Sequence, residues 1–165
     1  MYADLPDSPA DFLVLHGRRS SLVLELHADE APLWRYWGPR LPDAVTPPAP
    51  LRAGRPLPSF MLDFDQPLSV MPTFGVGWFG QSALLGHRSG VAFAQAWSRG
   101  EVERRGEHEA LLRLTDPVAQ LQAEIVLRLD PASDVLTART MLANLGDTAF
   151  DVQWLAAITL PADNV

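Results

Sequence analysis

The chain has 165 residues, 13 arginines, no lysine and no cysteine, with a net charge of −7. That length suits one domain, and a 47% hydrophobic content supplies a core without staples. The lack of thiols excludes a disulfide framework, a cysteine zinc site and a thiol nucleophile. An acidic balance spread along the chain excludes a nucleic-acid binder, which would need Lys and Arg to neutralise phosphates.

The first nine residues have neither a basic region nor an apolar run, so no secretory signal is expected. No apolar stretch approaches the ~20 residues that span a bilayer. These features predict a soluble, cytoplasmic protein with no membrane partner. Fifteen prolines and 11 glycines interrupt the chain too often for long helices.

In chain order, residues 12–16 form a short apolar run and residues 21–28 alternate, with Leu22, Leu24, Leu26 and Ala28 on one face and Val23, Glu25 and His27 on the other. Period two is the signature of a strand, and Gly17 to Ser20 connects the two as a hairpin. Aromatic residues 33–37 read as a third strand, ended by Gly38 and Pro39. Residues 42–58 carry Pro47, Pro48, Pro50, Pro56 and Pro58, which suit neither ladder nor helix, so a long surface loop is expected. Further strands are predicted at 60–64, 91–97, 111–115, 135–144 and 151–160, with turns at Arg99-Gly100, Arg105-Gly106, 131–134 and 144–147. Asp116-Pro117 resembles a helix start. From Leu121 to Leu129, however, apolar residues alternate strictly with Gln120, Gln122, Glu124, Val126 and Arg128, which predicts a strand. The expected fold is an all-β antiparallel sandwich.

Gly75-Val76-Gly77-Trp78-Phe79-Gly80 has the spacing of a dinucleotide fingerprint, and Glu101 stands about 20 residues further on, where the fingerprint places its acidic residue. The fingerprint also needs a helix after it to meet the pyrophosphate, yet residues 82–90 hold two glycines and no helical pattern. The glycines instead suit a tight loop that lifts Trp78 and Phe79 to the surface, where an indole can stack on a sugar ring; the competing reading is that Trp78 plugs one end of the sandwich. Asp63 and Asp65 share a strand face but, as neighbours, do not flank a bond as glycosidase carboxylates must. Residues 101–109 mix charges across a turn and read as a solvated hairpin. His16, His27, His87 and His108 show no metal-ligand spacing, and G-x-S-x-G is absent. The residues alone therefore give no catalytic site, no metal site and no cofactor.

Three segments, in order, resemble the N-terminal domain of glycoside hydrolase family 36 α-galactosidases. Leu33-Trp34-Arg35-Tyr36-Trp37-Gly38-Pro39-Arg40-Leu41 is similar to the family's aromatic-aromatic-Gly strand end. Residues 75–84 resemble its glycine-rich loop and the following strand. Val135 to Gly146, with Arg139, Asn144 and Gly146, resembles its Arg-x-x-x-x-Asn-x-Gly strand and turn. The resemblance covers residues 12–160. It implies a β-supersandwich of galactose-mutarotase-like fold, followed in family members by a (β/α)8 barrel that carries the nucleophile and acid/base aspartates of a retaining mechanism. Residues 1–165 would then be one such domain or most of one, cut short and without the barrel.

The resemblance further implies a non-catalytic scaffold that shapes the active-site entrance of a hydrolase acting on terminal α-galactosides and supports a homo-oligomer. Its partners would be the parent's other domains and at most a galactoside. Many family members place an acidic residue and an arginine in the glycine-rich loop. The matching positions here are Trp78 and Gly80, so the expected sugar contacts are Gly77, Trp78 and Phe79, with Trp78 stacking. The alternatives are a free-standing carbohydrate-binding sandwich using Trp78, Phe79 and Trp37, or a mutarotase-like epimerase pairing His87 or His108 with a glutamate.

Overall fold

The structure, a computed structural model, describes residues 11–42 and 66–161. The proline-rich loop beyond Pro42, the strand expected at 60–64, and Asp63 and Asp65 lie outside the described residues. Among those described, regular structure consists of nine strands and one turn of 3-10 helix. The strands are β1 (Asp11–His16), β2 (Ser20–Leu26), β3 (Leu33–Pro39), β4 (Leu84–His87), β5 (Ser98–Arg105), β6 (Glu109–Asp116), β7 (Leu121–Leu129), β8 (Leu136–Asn144) and β9 (Asp151–Leu155). They form three antiparallel sheets, ordered β1-β2-β3, β4-β9 and β5-β6-β7-β8. The all-β antiparallel expectation holds.

The first hairpin forms where period two predicted it, with Leu13 opposite Leu24 and Leu15 opposite Leu22. Pairing of β2 with β3 is irregular at one point. Val23 faces Tyr36 and Leu24 faces Trp34, so Arg35 is the extra residue of a bulge. In a regular strand, Trp34 and Trp37, three apart, would face opposite sides. The bulge re-phases the strand, and both indoles stand opposite core leucines, Trp34 on Leu24 and Trp37 on Leu22. They stack at 6.0 Å between centroids, with 28° between their planes.

In the four-stranded meander, β6 and β7 pair without a break and set Leu112 against Ile125 and Leu114 against Ala123. Leu121, Ala123, Ile125, Leu127 and Leu129 are all buried, as strict alternation requires. The Asp116 carboxylate accepts hydrogen bonds from the backbone N–H groups of Val118 (3.0 Å) and Ala119 (2.9 Å), so Asp116-Pro117 opens a turn, and the strand begins at Leu121. A third bond, from the Ala96 N–H at 2.8 Å, ties the preceding loop to this turn.

Three expectations need correcting. Arg99-Gly100 is not a turn: it lies within β5, where Gly100 and Glu101 bulge opposite Arg113. Residues 91–97 are not a strand: beyond a single bridge between Arg88 and Val91 the backbone leaves the ladder, with φ of 47° at Ser89 and 55° at Ala92, conformations no strand accommodates. The last strand ends at Leu155, because the chain then crosses other segments: Ala156 donates to the Ala83 carbonyl (2.8 Å) and Thr159 to that of Val70 (3.0 Å).

One core joins the three sheets. It contains Leu15, Leu22 and Leu24 from the first, Leu84 from the second, and Leu112, Leu114, Ile125 and Leu127 from the third, with Trp97 among them. Each such side chain contributes about 1.5–3 kcal/mol by leaving water. β8 is half-buried on its inner face through Leu136, Ala138 and Leu142, and among the described residues it is the last strand of its sheet. Two polar clasps fasten the turns. Asp134 accepts backbone hydrogen bonds from Arg19 (3.0 Å) and Ser20 (3.1 Å) and the Ser20 hydroxyl bond (2.7 Å), which joins the β7–β8 turn to the β1–β2 hairpin. The Arg88 guanidinium donates to the carbonyls of Ala119 (3.0 Å) and Thr148 and to the Asn144 side chain, which gathers three turns.

No helix among the described residues is long and apolar enough to cross a membrane.

Candidate functional site

The glycine-rich loop is built on a buried base. Val70, Met71, Pro72 and Thr73 are buried on one side, and Ser82, Ala83 and Leu84 on the other. The Ala83 N–H donates to the Pro72 carbonyl at 2.8 Å, so the base closes on itself. From it Phe74–Val76 make one 3-10 turn. Gly77 follows in the left-handed region (φ 84°), and its N–H donates to the Phe74 carbonyl at 3.0 Å.

Two further contacts fix the loop. The Gly75 N–H donates to the Gln95 carbonyl at 3.0 Å, and a Cβ on Gly75 would stand 2.2 Å from that oxygen. The contact sets the loop against the 91–97 segment, itself held by Gln95, whose side chain donates to the Ala92 carbonyl at 2.7 Å. Trp78 folds back over Gly80, where a Cβ would lie 2.7 Å from the indole, and its Nε1 donates to the Gln81 carbonyl at 3.1 Å. Phe79 at the tip is 89% exposed, and Phe74 in the loop and Val91 and Phe93 in the 91–97 segment are exposed too.

Of the expected site residues, the loop therefore gathers all three. Gly77 makes the bend, Phe79 is exposed and Trp78 is half-buried with its N–H bonded within the loop, so Trp78 does not plug the sandwich core. With that N–H occupied, the indole can offer a ligand its apolar face but no hydrogen bond. The loop leads into β4, a strand and not a helix, so the nucleotide fingerprint has no structural context.

The histidines are dispersed. Buried His16 bonds Ser21 Oγ through Nδ1 (2.7 Å), His108 meets the His16 carbonyl, and His87 lies 3.6 Å from Asp151. Neither His87 nor His108 is brought to a glutamate. The described residues contain no cluster of three or more His, Asp or Glu side chains fit to hold a metal.

The sequence reading missed a polar cluster centred on buried Glu25, on the face of the first sheet opposite Leu22 and Leu24. Glu25 receives Arg35 Nε, and His27 Nε2 stands 3.0 Å from Glu25 and 3.9 Å from Glu30. Glu25 and His27 at i and i+2 gave half of the signal; the bulge that presents Arg35 leaves none in the sequence.

Comparison with known proteins agrees with this architecture. Residues 30–165 match the glycosyl hydrolase family 36 N-terminal domain. An α-galactosidase of Escherichia coli is 32% identical over 149 residues, which is 89% of this chain and 20% of that protein. Among solved structures, the family 36 α-galactosidase AgaA of Geobacillus stearothermophilus superimposes with a TM-score of 0.71 at 14% identity, over 90% of this chain and 24% of that one. A variant of AgaA in complex with raffinose gives 0.74 at 14% identity, over 90% and 24%. The α-galactosidase of Lactobacillus brevis gives 0.72 at 14% identity, over 89% and 23%. The chain thus spans about a fifth to a quarter of the length of these relatives. The similarity expected from residues 33–41, 75–84 and 135–146 holds across most of the sequence, and the chain belongs to the glycosyl hydrolase family 36 N-terminal domain family.

Proposed function

We propose that this domain serves as a non-catalytic scaffold in an α-galactosidase-like hydrolase, where its glycine-rich loop shapes the entrance to a sugar site and supports assembly with other domains or a second copy. The observation that supports this reading is the loop of residues 72–83: a closed buried base, a first limb pinned by the Gly75–Gln95 hydrogen bond, and at the tip an exposed Phe79 beside a half-buried Trp78. Loops braced by a scaffold in this way commonly carry binding function. The substrate class, terminal α-galactosides, follows the activity named for its relatives. Retaining hydrolysis needs two opposed carboxyl groups, which this reading assigns to the parent's barrel.

Two measurements test the proposal. Incubated with an aryl α-galactoside, the 165-residue chain is expected to release no galactose, and measurable turnover would overturn the scaffold assignment. Joined to the parent's remaining domains, the Trp78→Ala and Phe79→Ala variants are expected to raise KM for raffinose or to weaken assembly. Unchanged KM and unchanged oligomer size would remove the loop from the site.

The free-standing carbohydrate-binding reading rests on the same exposed aromatics. It requires saturable galactose or raffinose binding by the chain alone, lost in Trp78→Ala.

A further inference from the structure

A concave surface lies where β3 ends, sharing no residue with the glycine-rich loop. It is an open groove of about 570 Å³ lined by Arg19, Ser20, Trp37, Gly38, Pro39 and Asp134. That volume falls within the usual range of small-molecule sites.

Its aromatic wall and its acceptor are fixed in advance. The Trp37 indole is half-buried and stacked on Trp34. Trp34 is 8% exposed and anchored by its Nε1 hydrogen bond to the Thr159 carbonyl (2.8 Å). Asp134, with φ of 60°, is held by the Arg19 and Ser20 backbone N–H groups and the Ser20 hydroxyl, and its side chain keeps 16% exposure. The Arg19 side chain is 86% exposed, with Nε 3.8 Å from Asp134 Oδ2, and among the described residues its guanidinium makes no hydrogen bond. A ligand would therefore meet a braced aromatic surface and a fixed acceptor at little ordering cost, beside an exposed donor, Arg19, that is ordered on binding.

We infer that this groove is a carbohydrate subsite that takes one pyranose ring of a neutral oligosaccharide, with an apolar sugar face on Trp37 and neighbouring hydroxyls spanning Arg19 and Asp134. The chemistry selects the class. Indole offers broad apolar contact, and an acceptor beside a donor suits vicinal hydroxyls, each able to give and take a hydrogen bond. A phosphate or carboxylate ligand would face the Asp134 carboxylate, which disfavours anions. The inference is independent of the role proposed for Trp78.

The test follows the indole N–H resonances of the 165-residue chain during titration with raffinose and, in parallel, with maltotriose. The Trp37 signal is expected to shift saturably with at least one sugar. The dissociation constant should rise about fivefold in Arg19→Ala, in line with loss of one exposed charged hydrogen bond, and stay unchanged in Trp78→Ala. Arg19 is almost wholly exposed, so its removal leaves the core intact. A Trp37 signal that stays flat to about 50 mM sugar would overturn the subsite, as would equal affinity in Arg19→Ala. A response confined to Trp78 would overturn it too, while leaving the reading of the glycine-rich loop standing.

Discussion

Gly75 and Gly80 are both closely approached, but by different kinds of atom. The atom facing Gly75 is the Gln95 backbone carbonyl, at 2.2 Å from an added Cβ; the atoms facing Gly80 belong to the Trp78 ring, at 2.7 Å. A backbone oxygen in a hydrogen-bonded loop cannot yield cheaply, whereas a surface indole can rotate. Gly75→Ala is therefore expected to separate the two loops and cost about 1–3 kcal/mol, within the range for strained substitutions, read as a lower urea midpoint. Gly80→Ala should leave the midpoint nearly unchanged while shifting Trp78 emission to longer wavelength, because the ring is pushed further into water. Equal effects of the two substitutions would contradict this division between backbone and side-chain contact.

Among the elements, the connections show how electrostatics joins the sheets. The Asp134 carboxyl lies below the usual carboxylate range chiefly because the Arg19 backbone N–H and then the Ser20 hydroxyl bond its charged form. Asp130 is lowered in the same way by the N–H groups of Ala132 and Ser133. A depressed carboxyl stabilises the fold above its unfolded value, and that contribution is lost as pH falls through the folded one. Stability is therefore expected to fall with acidification below the ordinary value of 3.8. Asp134→Asn should lower stability at neutral pH and flatten the acid limb of a urea-midpoint profile; an unchanged limb would exclude Asp134 as its source.

The same elements mark what the sequence discloses. β6, β7 and β8 were legible because each alternates between a more buried and a more exposed face and so repeats with period two; β1 was legible as a short apolar run, and β2 by the alternation of its leucines, although both of its faces are buried. The bulges at Arg35 and at Gly100 were not, since a bulge changes the phase of a strand without a residue type of its own. Residues 91–97 looked like a strand because Val91, Phe93 and Trp97 alternate, but Val91 and Phe93 are exposed and the positive φ at Ala92 cannot be read from alanine. At the candidate site, glycine spacing disclosed Gly77, Trp78 and Phe79, whereas the Gly75–Gln95 contact joins residues twenty apart and has no sequence signal.

At the scale of the molecule, strand pairs among the described residues join neighbours along the chain except for β4–β9, which sets Leu84 opposite Leu155 and His87 opposite Asp151. Closing so long a segment carries an entropic cost that local hairpins avoid, and non-local pairing slows folding. The meander β5–β8 lies wholly between these two strands. During synthesis and refolding it can pair first, leaving β4 waiting for β9. Pulse-labelled hydrogen exchange is expected to show the amides of β6 and β7 protected early and those of β4 and β9 last; simultaneous protection would contradict that order. The base of the glycine-rich loop is tied to this late pair, since the Ala83 carbonyl accepts the Ala156 N–H. The loop that carries Trp78 and Phe79 thus acquires its shape only in the closing step of folding, so a chain still incomplete in its fold would not yet display the aromatic tip to sugar or partner.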